Sequence, residues 1–64
     1  MVDAVELLIT QLRDKSPFAR WKAAKSLGGI GDIRTVEPLI DSLKDEYAYV
    51  CIAAIRELRK INDT

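Results

Sequence analysis

VELLITQLRD at residues 5–14 and VEPLIDSLKD at residues 36–45 are two versions of one segment, 31 positions apart. Holding that offset without a gap pairs Val5 with Val36, Glu6 with Glu37, Leu8 with Leu39, Ile9 with Ile40, Leu12 with Leu43 and Asp14 with Asp45. Further along it pairs Ala23 with Ala54, Leu27 with Leu58, Ile30 with Ile61 and Asp32 with Asp63. Ten identities at one spacing mark an internal repeat, and a unit of that length covers its apolar face by stacking on its neighbour. The expectation is one domain over residues 1–64, with a first repeat at about 3–33 and a second at about 34–64.

Within each copy the apolar spacing is helical. Val5, Leu8, Ile9 and Leu12 stand at i, i+3, i+4 and i+7, as do Val36, Leu39, Ile40 and Leu43, so each set lies on one face of an amphipathic helix. A second helix is expected to start after Ser16, which can cap free amides, at Pro17, which gives up no needed hydrogen bond there. Its expected inward side is Ala19, Ala23, Leu27 and Ile30; it should fade at Gly28-Gly29 and stop by Gly31. Thr35 is the expected cap of the third helix, with Pro38 tolerated in the first turn. The fourth is expected from about Tyr47 to about Ile61. Its inward residues are then Val50, Ala54, Leu58 and Ile61, with Asn62 as the terminator where the first copy has Gly31.

LGGIGDIRTVEPLIDSLKDE, with FARWKAAKSLGGIGD before it and YVCIAAIRELRKIND after it, resembles the HEAT-like repeats first recognised in phycobilisome bilin lyases. The resemblance implies an all-α fold in which two helix-pair repeats, four antiparallel helices, stack into a short right-handed α-solenoid. The second helices would then line its concave face. It also implies an Arg near the start of each second helix, packed beside the inter-helix Asp of the same copy. Arg20 with Asp14 fits, whereas Cys51 stands where the second Arg would be. Gly28 and Gly31 match the family's helix-end glycines, and Arg59 and Asn62 replace them in the second copy. Lyases of that family handle linear tetrapyrroles, so an accessory subunit related to them is one implied role.

The composition narrows the chemistry. Sixty-four residues, 48% hydrophobic and 31% charged, describe a soluble globular unit. Ten basic and ten acidic residues cancel, which removes any bulk attraction to nucleic acid or anionic lipid. There is no histidine and only one cysteine, Cys51, so the commonest general base, the commonest zinc ligands and an internal disulfide are all missing. The expectation is a protein that is not an enzyme and needs no cofactor or metal. Asp14, Asp45 and Glu46 read as turn and cap residues rather than a carboxylate pair. Cys51 reads as a small buried hydrophobe rather than a nucleophile. GGIGD at residues 28–32 looks like a phosphate loop, but no strand precedes it and no GK[ST] follows, so it reads as helix termination. MVDAVELLIT has no basic n-region and no uninterrupted apolar stretch, hence the expectation of no signal peptide, no membrane span and a cytoplasmic location.

What remains is a binding face on the second helices. The residues left over from the core are Phe18, Trp21, Lys22 and Lys25 in the first copy, and Tyr49, Ile52, Ala53, Arg56 and Lys60 in the second. Steps of i+3 and i+4 join them into one stripe per helix, apolar at its start and basic at its end. Aromatics outside the core stripe and beside Lys or Arg are typical interface anchors, Trp21 above all. Acidic residues gather on the first helices and basic ones on the second. A basic, aromatic groove suits an acidic peptide or protein surface first and a nucleic-acid backbone second, the latter weakly and with strong salt dependence.

The sequence also points to self-association. A domain this short buries only about 60% of the surface its unfolded chain exposes, and Val50-Cys51-Ile52-Ala53-Ala54-Ile55 is apolar on all sides. The first pair can cover Val50 and Ala54, leaving Cys51 and Ile55 toward the open side and Ile52 toward the groove. A homodimer or higher even oligomer through these residues is expected, and protein rather than nucleic acid or membrane as the partner.

Overall fold

The computed structural model describes residues 3–62, which form four α-helices and one 3-10 turn, with no strand among them. α1 spans Ala4–Gln11. Its start is fixed by Asp3, whose Oδ1 accepts from the Glu6 amide at 2.8 Å. α2 spans Pro17–Ile30, capped by the Ser16 hydroxyl, which accepts from the Ala19 amide at 3.5 Å. Gly31 ends it in the left-handed conformation, φ 71°. The helix stops at Gly31 as expected, but it does not fade at Gly28 and Gly29, which are both helical.

A 3-10 turn, Ile33–Thr35, leads into α3, Val36–Ser42, and α4 spans Ala48–Asn62. The expected cap at Thr35 does not form: its hydroxyl donates back to the Asp32 carbonyl at 2.7 Å, and the residue is fully buried. Asp32 takes the capping role one turn earlier, accepting from the Arg34 amide at 2.8 Å. Asn62 is helical rather than a left-handed terminator, and among the described residues only Gly31 has a positive φ. Asp63, the counterpart of Asp32, and the end of the second repeat at residue 64 lie outside the described residues.

The helices form two layers, α1 with α3 and α2 with α4. Two helix layers with axes about 10 Å apart, each with a Cα radius of about 2.3 Å, should be about 15 Å thick, and the shortest dimension is 15 Å. α2 packs most extensively on α4, and each also packs on the first helix of its own pair. At this seam α2 buries Ala23, Ala24, Leu27 and Gly28, and α4 buries Val50, Ala53, Ala54 and Glu57. Two expectations change here. Ile30 is 45% exposed and Ala19 only half-buried, because α2 must cover α1 and α4 at once, which turns its buried side toward Ala24 and Gly28. Ala53, expected to face outward, is buried in the seam for the same reason.

Gly28 sets the closeness of this contact. A Cβ built there would run into the Glu57 Cβ and carboxylate. The Glu57 side chain is 6% exposed; one oxygen accepts from Lys60 Nζ at 3.3 Å, and the other is buried without a hydrogen-bond partner among the described residues. That orphaned acceptor costs about 1–3 kcal/mol, so α4 tolerates a local penalty to bring the helices together.

A second fastening joins the two pairs. Arg20 donates from Nε to Asp45 Oδ2 at 2.7 Å and from Nη2 to Oδ1 at 3.3 Å, while Nη1 donates to the Asp14 carbonyl at 2.7 Å. Arg20 thus packs beside Asp14 as expected, through the Asp14 carbonyl, and its ion pair goes to the Asp of the next repeat. Asp14 and Asp45 build the same turn, accepting from the amides of Ser16 and Tyr47 at 2.9 Å each. Cys51, at the position equivalent to Arg20, is half-buried and its thiol donates to the Asp45 carbonyl at 2.9 Å. It keeps the contact within its own turn and lacks the reach to a further repeat. Arg34 pairs with Asp32 and Asp3 across the surface, where exposure makes such pairs contribute little.

Two outcomes follow for stability. Gly29 faces open space, so Gly29→Ala should stabilise by up to about 1 kcal/mol through helix propensity. Gly28→Ala should destabilise despite the same gain, because overpacking costs about 1–3 kcal/mol or more; urea unfolding of the two variants checks the opposite signs. Burial pushes the Asp45 carboxyl up, but the Arg20 hydrogen bonds, the Tyr47 amide and the Arg20 charge outweigh it and hold it below its ordinary value. A carboxylate lowered in the folded state contributes stability that is full above about pH 4 and is lost as pH falls through the lower folded value. Acid unfolding of Asp45→Asn should lack that part of the wild-type loss, leaving a shallower pH dependence below about pH 4.

Candidate functional site

The seam between α2 and α4 opens on its outer side into a groove of about 260 Å³. Trp21 and Lys25 form the α2 wall, Tyr49, Ile52, Arg56 and Lys60 the α4 wall, and Ala53 and Glu57 reach it from the seam below. Helical spacing explains the grouping: Trp21 and Lys25 are one turn apart, as are Tyr49, Ala53 and Glu57, and Ile52, Arg56 and Lys60. Lys25 Nζ sits 4.5 Å from the centre of the Trp21 ring. Trp21 in turn stacks against Phe18 with centroids 5.6 Å apart, and Lys22 Nζ lies 5.7 Å over the Phe18 ring. Such cation–π contacts contribute about 0.5–1 kcal/mol at exposed sites. They hold two ammonium groups beside apolar surface.

Phe18 and Lys22 belong to this aromatic stack but do not line the groove, which leaves them at its edge. Trp21 departs from the expected exposed anchor: it is half-buried and packs against the core. Phe18 at 59% and Ile52 at 51% exposure are the freer apolar surfaces. Cys51 and Ile55 do not line the groove; Cys51 is half-buried against its own turn and Ile55 is 46% exposed.

Glu57 is the groove residue that the sequence did not assign to this face, and Ala53, expected to face it, reaches it from the buried seam. Glu57 was legible as the lone acid among the cations of α4, a signal that it answers something buried. Its carboxylate holds Lys60 in place and removes one negative charge from the surface. Beyond the groove, Arg56, Arg59, Lys60 and Asn62 surround a shallow hollow at the end of α4, where cations also complement the helix dipole.

The acidic residues at the turns are engaged structurally. Asp14 accepts from the Ser16 amide, and Asp45 is held by both Arg20 and the Tyr47 amide. The GGIGD segment contributes Gly28 to the seam and Gly31 to the end of α2. Among the described residues no group of three or more Cys, Asp or Glu is placed to hold a metal ion, and no helix is long and apolar enough to cross a membrane.

No curated protein matches the chain. The family model for HEAT repeats matches residues 1–63, nearly its whole length. HEAT repeats generally mediate binding to other proteins and are typically non-catalytic. Two stacked helix pairs, the seam between their second helices and this match agree: the chain belongs to the HEAT-repeat family.

Proposed function

We propose that this chain is a non-enzymatic protein-interaction module whose α2/α4 groove takes an acidic segment of a partner protein, and that it also self-associates through α4. The observation that supports the groove most directly is the Lys25 ammonium held over the Trp21 ring, facing Arg56 and Lys60 across the same 260 Å³ groove. A carboxylate entering there meets cations already placed beside apolar surface, and Ile52 and Tyr49 supply contact area for the carbon skeleton around it. Glu57 does not oppose such a ligand at the surface, because its carboxylate is buried and engaged with Lys60. Interfaces of this kind draw their energy from a few aromatic and cationic anchors set among neutral contacts.

The alternatives are a weak nucleic-acid module and an accessory subunit related to bilin lyases. The cations at the end of α4 give the first some support. The acidic first layer works against it, with Glu6, Glu37 and Asp41 exposed. The groove is also small for a linear tetrapyrrole, which would have to lie along it rather than inside.

Trp21 is the single tryptophan, so its fluorescence reports the groove directly. Titration with a Glu- and Asp-rich peptide carrying an aromatic residue should shift the emission, and Lys25→Glu or Arg56→Glu should weaken binding by about tenfold, one charge-assisted contact each. Short duplex DNA should bind only at low salt. Peptide affinity unchanged by both charge reversals, or DNA binding that persists at physiological salt, would refute the acidic-partner reading.

A further inference from the structure

The repeat offset shows which surface is built to receive another unit. The first pair seats the second through Ile9 and Leu12 on α1 and Arg20, Ala24 and Gly28 on α2. Shifted by 31 residues, those positions are Ile40, Leu43, Cys51, Ile55 and Arg59. They form the outer face of the second pair, where Ile40 is 46%, Leu43 39% and Ile55 46% exposed. The outer face of the first pair is of another kind. The second pair buries Leu39, Ser42, Val50, Ala53 and Glu57, of which Leu39 and Ala53 join the shared core, Ser42 faces Ile9 and Leu12, and Glu57 meets Gly28. Their counterparts are Leu8, Gln11, Ala19, Lys22 and Ser26, of which Gln11, Lys22 and Ser26 are exposed and polar.

A head-to-tail stack of copies would set these two outer faces together, and three features oppose it. Ile55 and Arg59 stand where Ala24 and Gly28 permit the close approach. Lys22 of the next copy would enter the same seam as Arg59. Cys51 offers Asp14 of that copy no ion pair in place of the Arg20 clamp.

The outer face of the second pair is instead complementary to itself. Its α3 side carries Glu37 and Asp41, its α4 side Arg59, with Ile40, Leu43 and Ile55 between them. The start of α3 and the end of α4 lie at the same end of the face, since Ile33 and Ile61 line one hollow. A two-fold axis parallel to the helices then lays α4 of one copy on α3 of the other. Arg59 comes opposite Glu37, and Ile55 opposite Ile40 and Leu43. A specific dimer buries about 600–1,000 Å² per copy, between about an eighth and a fifth of the 4604 Å² this chain exposes, so one face is enough.

We propose that this chain forms an isologous homodimer in which Ile40, Leu43 and Ile55 of the two copies pack together and Arg59 of each copy pairs with Glu37 of the other. The proposal rests on the self-association reading above and narrows it to one face and one symmetry.

The test is sedimentation equilibrium across the micromolar range, with circular dichroism to confirm folding. The wild type should approach twice 7.2 kDa and stop there. Ile55→Glu and, independently, Ile40→Glu should weaken dimerisation by about tenfold or more, while Ile52→Glu in the groove should leave it intact. Glu37→Arg and Arg59→Glu should each weaken the dimer and together restore it. A monomer mass throughout would overturn both the dimer and the self-association reading. A dimer lost with Ile52→Glu but indifferent to Ile55→Glu and Ile40→Glu would leave self-association standing and overturn this face. A mass that keeps growing beyond two copies would overturn the closed symmetry, and failure of the charge swap to restore the dimer would overturn the α4-on-α3 arrangement.

Discussion

The close contact of α2 with α4 governs the rest of this molecule. Alanines meet alanines at Ala23, Ala24, Ala53 and Ala54, and Gly28 admits Glu57 where any side chain would clash. Small residues make a poor hydrophobic core by volume: among the described residues, Leu27, Leu39 and Val50 are the largest fully buried apolar side chains. What they supply is proximity: many weak dispersion contacts over a long, well-fitted seam. The clamp from Arg20 to Asp45 ties the ends of the same two pairs where the alanines end. A domain of this size has few other sources of stability, having no disulfide and no large aromatic at its centre.

The groove is a by-product of that seam. Because the backbones approach closely at the alanines, the larger residues one position further round each helix splay apart and leave a channel between Trp21 and Ile52. The two repeats therefore share a core and a groove, and neither could present the groove alone. The asymmetry between the repeats has the opposite consequence. The substitutions that make the second copy irregular, Cys51 for Arg20, Ile55 for Ala24 and Arg59 for Gly28, all fall on one face. They convert a surface suited to regular stacking into one that is bulkier, more apolar and charged at its rim.

Much of this could be read from the residues, and the reasons for the remainder are physical. The 31-residue identity and the 3.6-residue periodicity specify the helix pairs, because those signals are local or exactly repeated. The Ser16-Pro17 start and the Gly31 stop of α2 follow from backbone chemistry alone. The roles of Gly28, Ala53 and Glu57 depend on how closely two helices approach across the fold, which no periodicity reports; a glycine inside a helix looks like a terminator until its neighbour is known. Arg20 beside Asp14 follows from their shared turn, whereas its ion pair with Asp45 at 2.7 Å depends on the stacking of the repeats. The groove side chains were legible in kind because leftover aromatics and cations at i+3 and i+4 must share a helix face. How deeply Trp21 sinks into the core was not.

Because the α2/α4 seam ties the two helix pairs together, they should unfold as one cooperative unit. Native-state hydrogen exchange measured amide by amide tests it most directly, since it resolves local from global opening. The amides from Ala23 to Leu27 in α2 and those from Val50 to Ala54 in α4 should open with one common free energy, equal to that of global unfolding. An α3/α4 pair that opens at a distinctly lower free energy while α1 and α2 stay protected would contradict it.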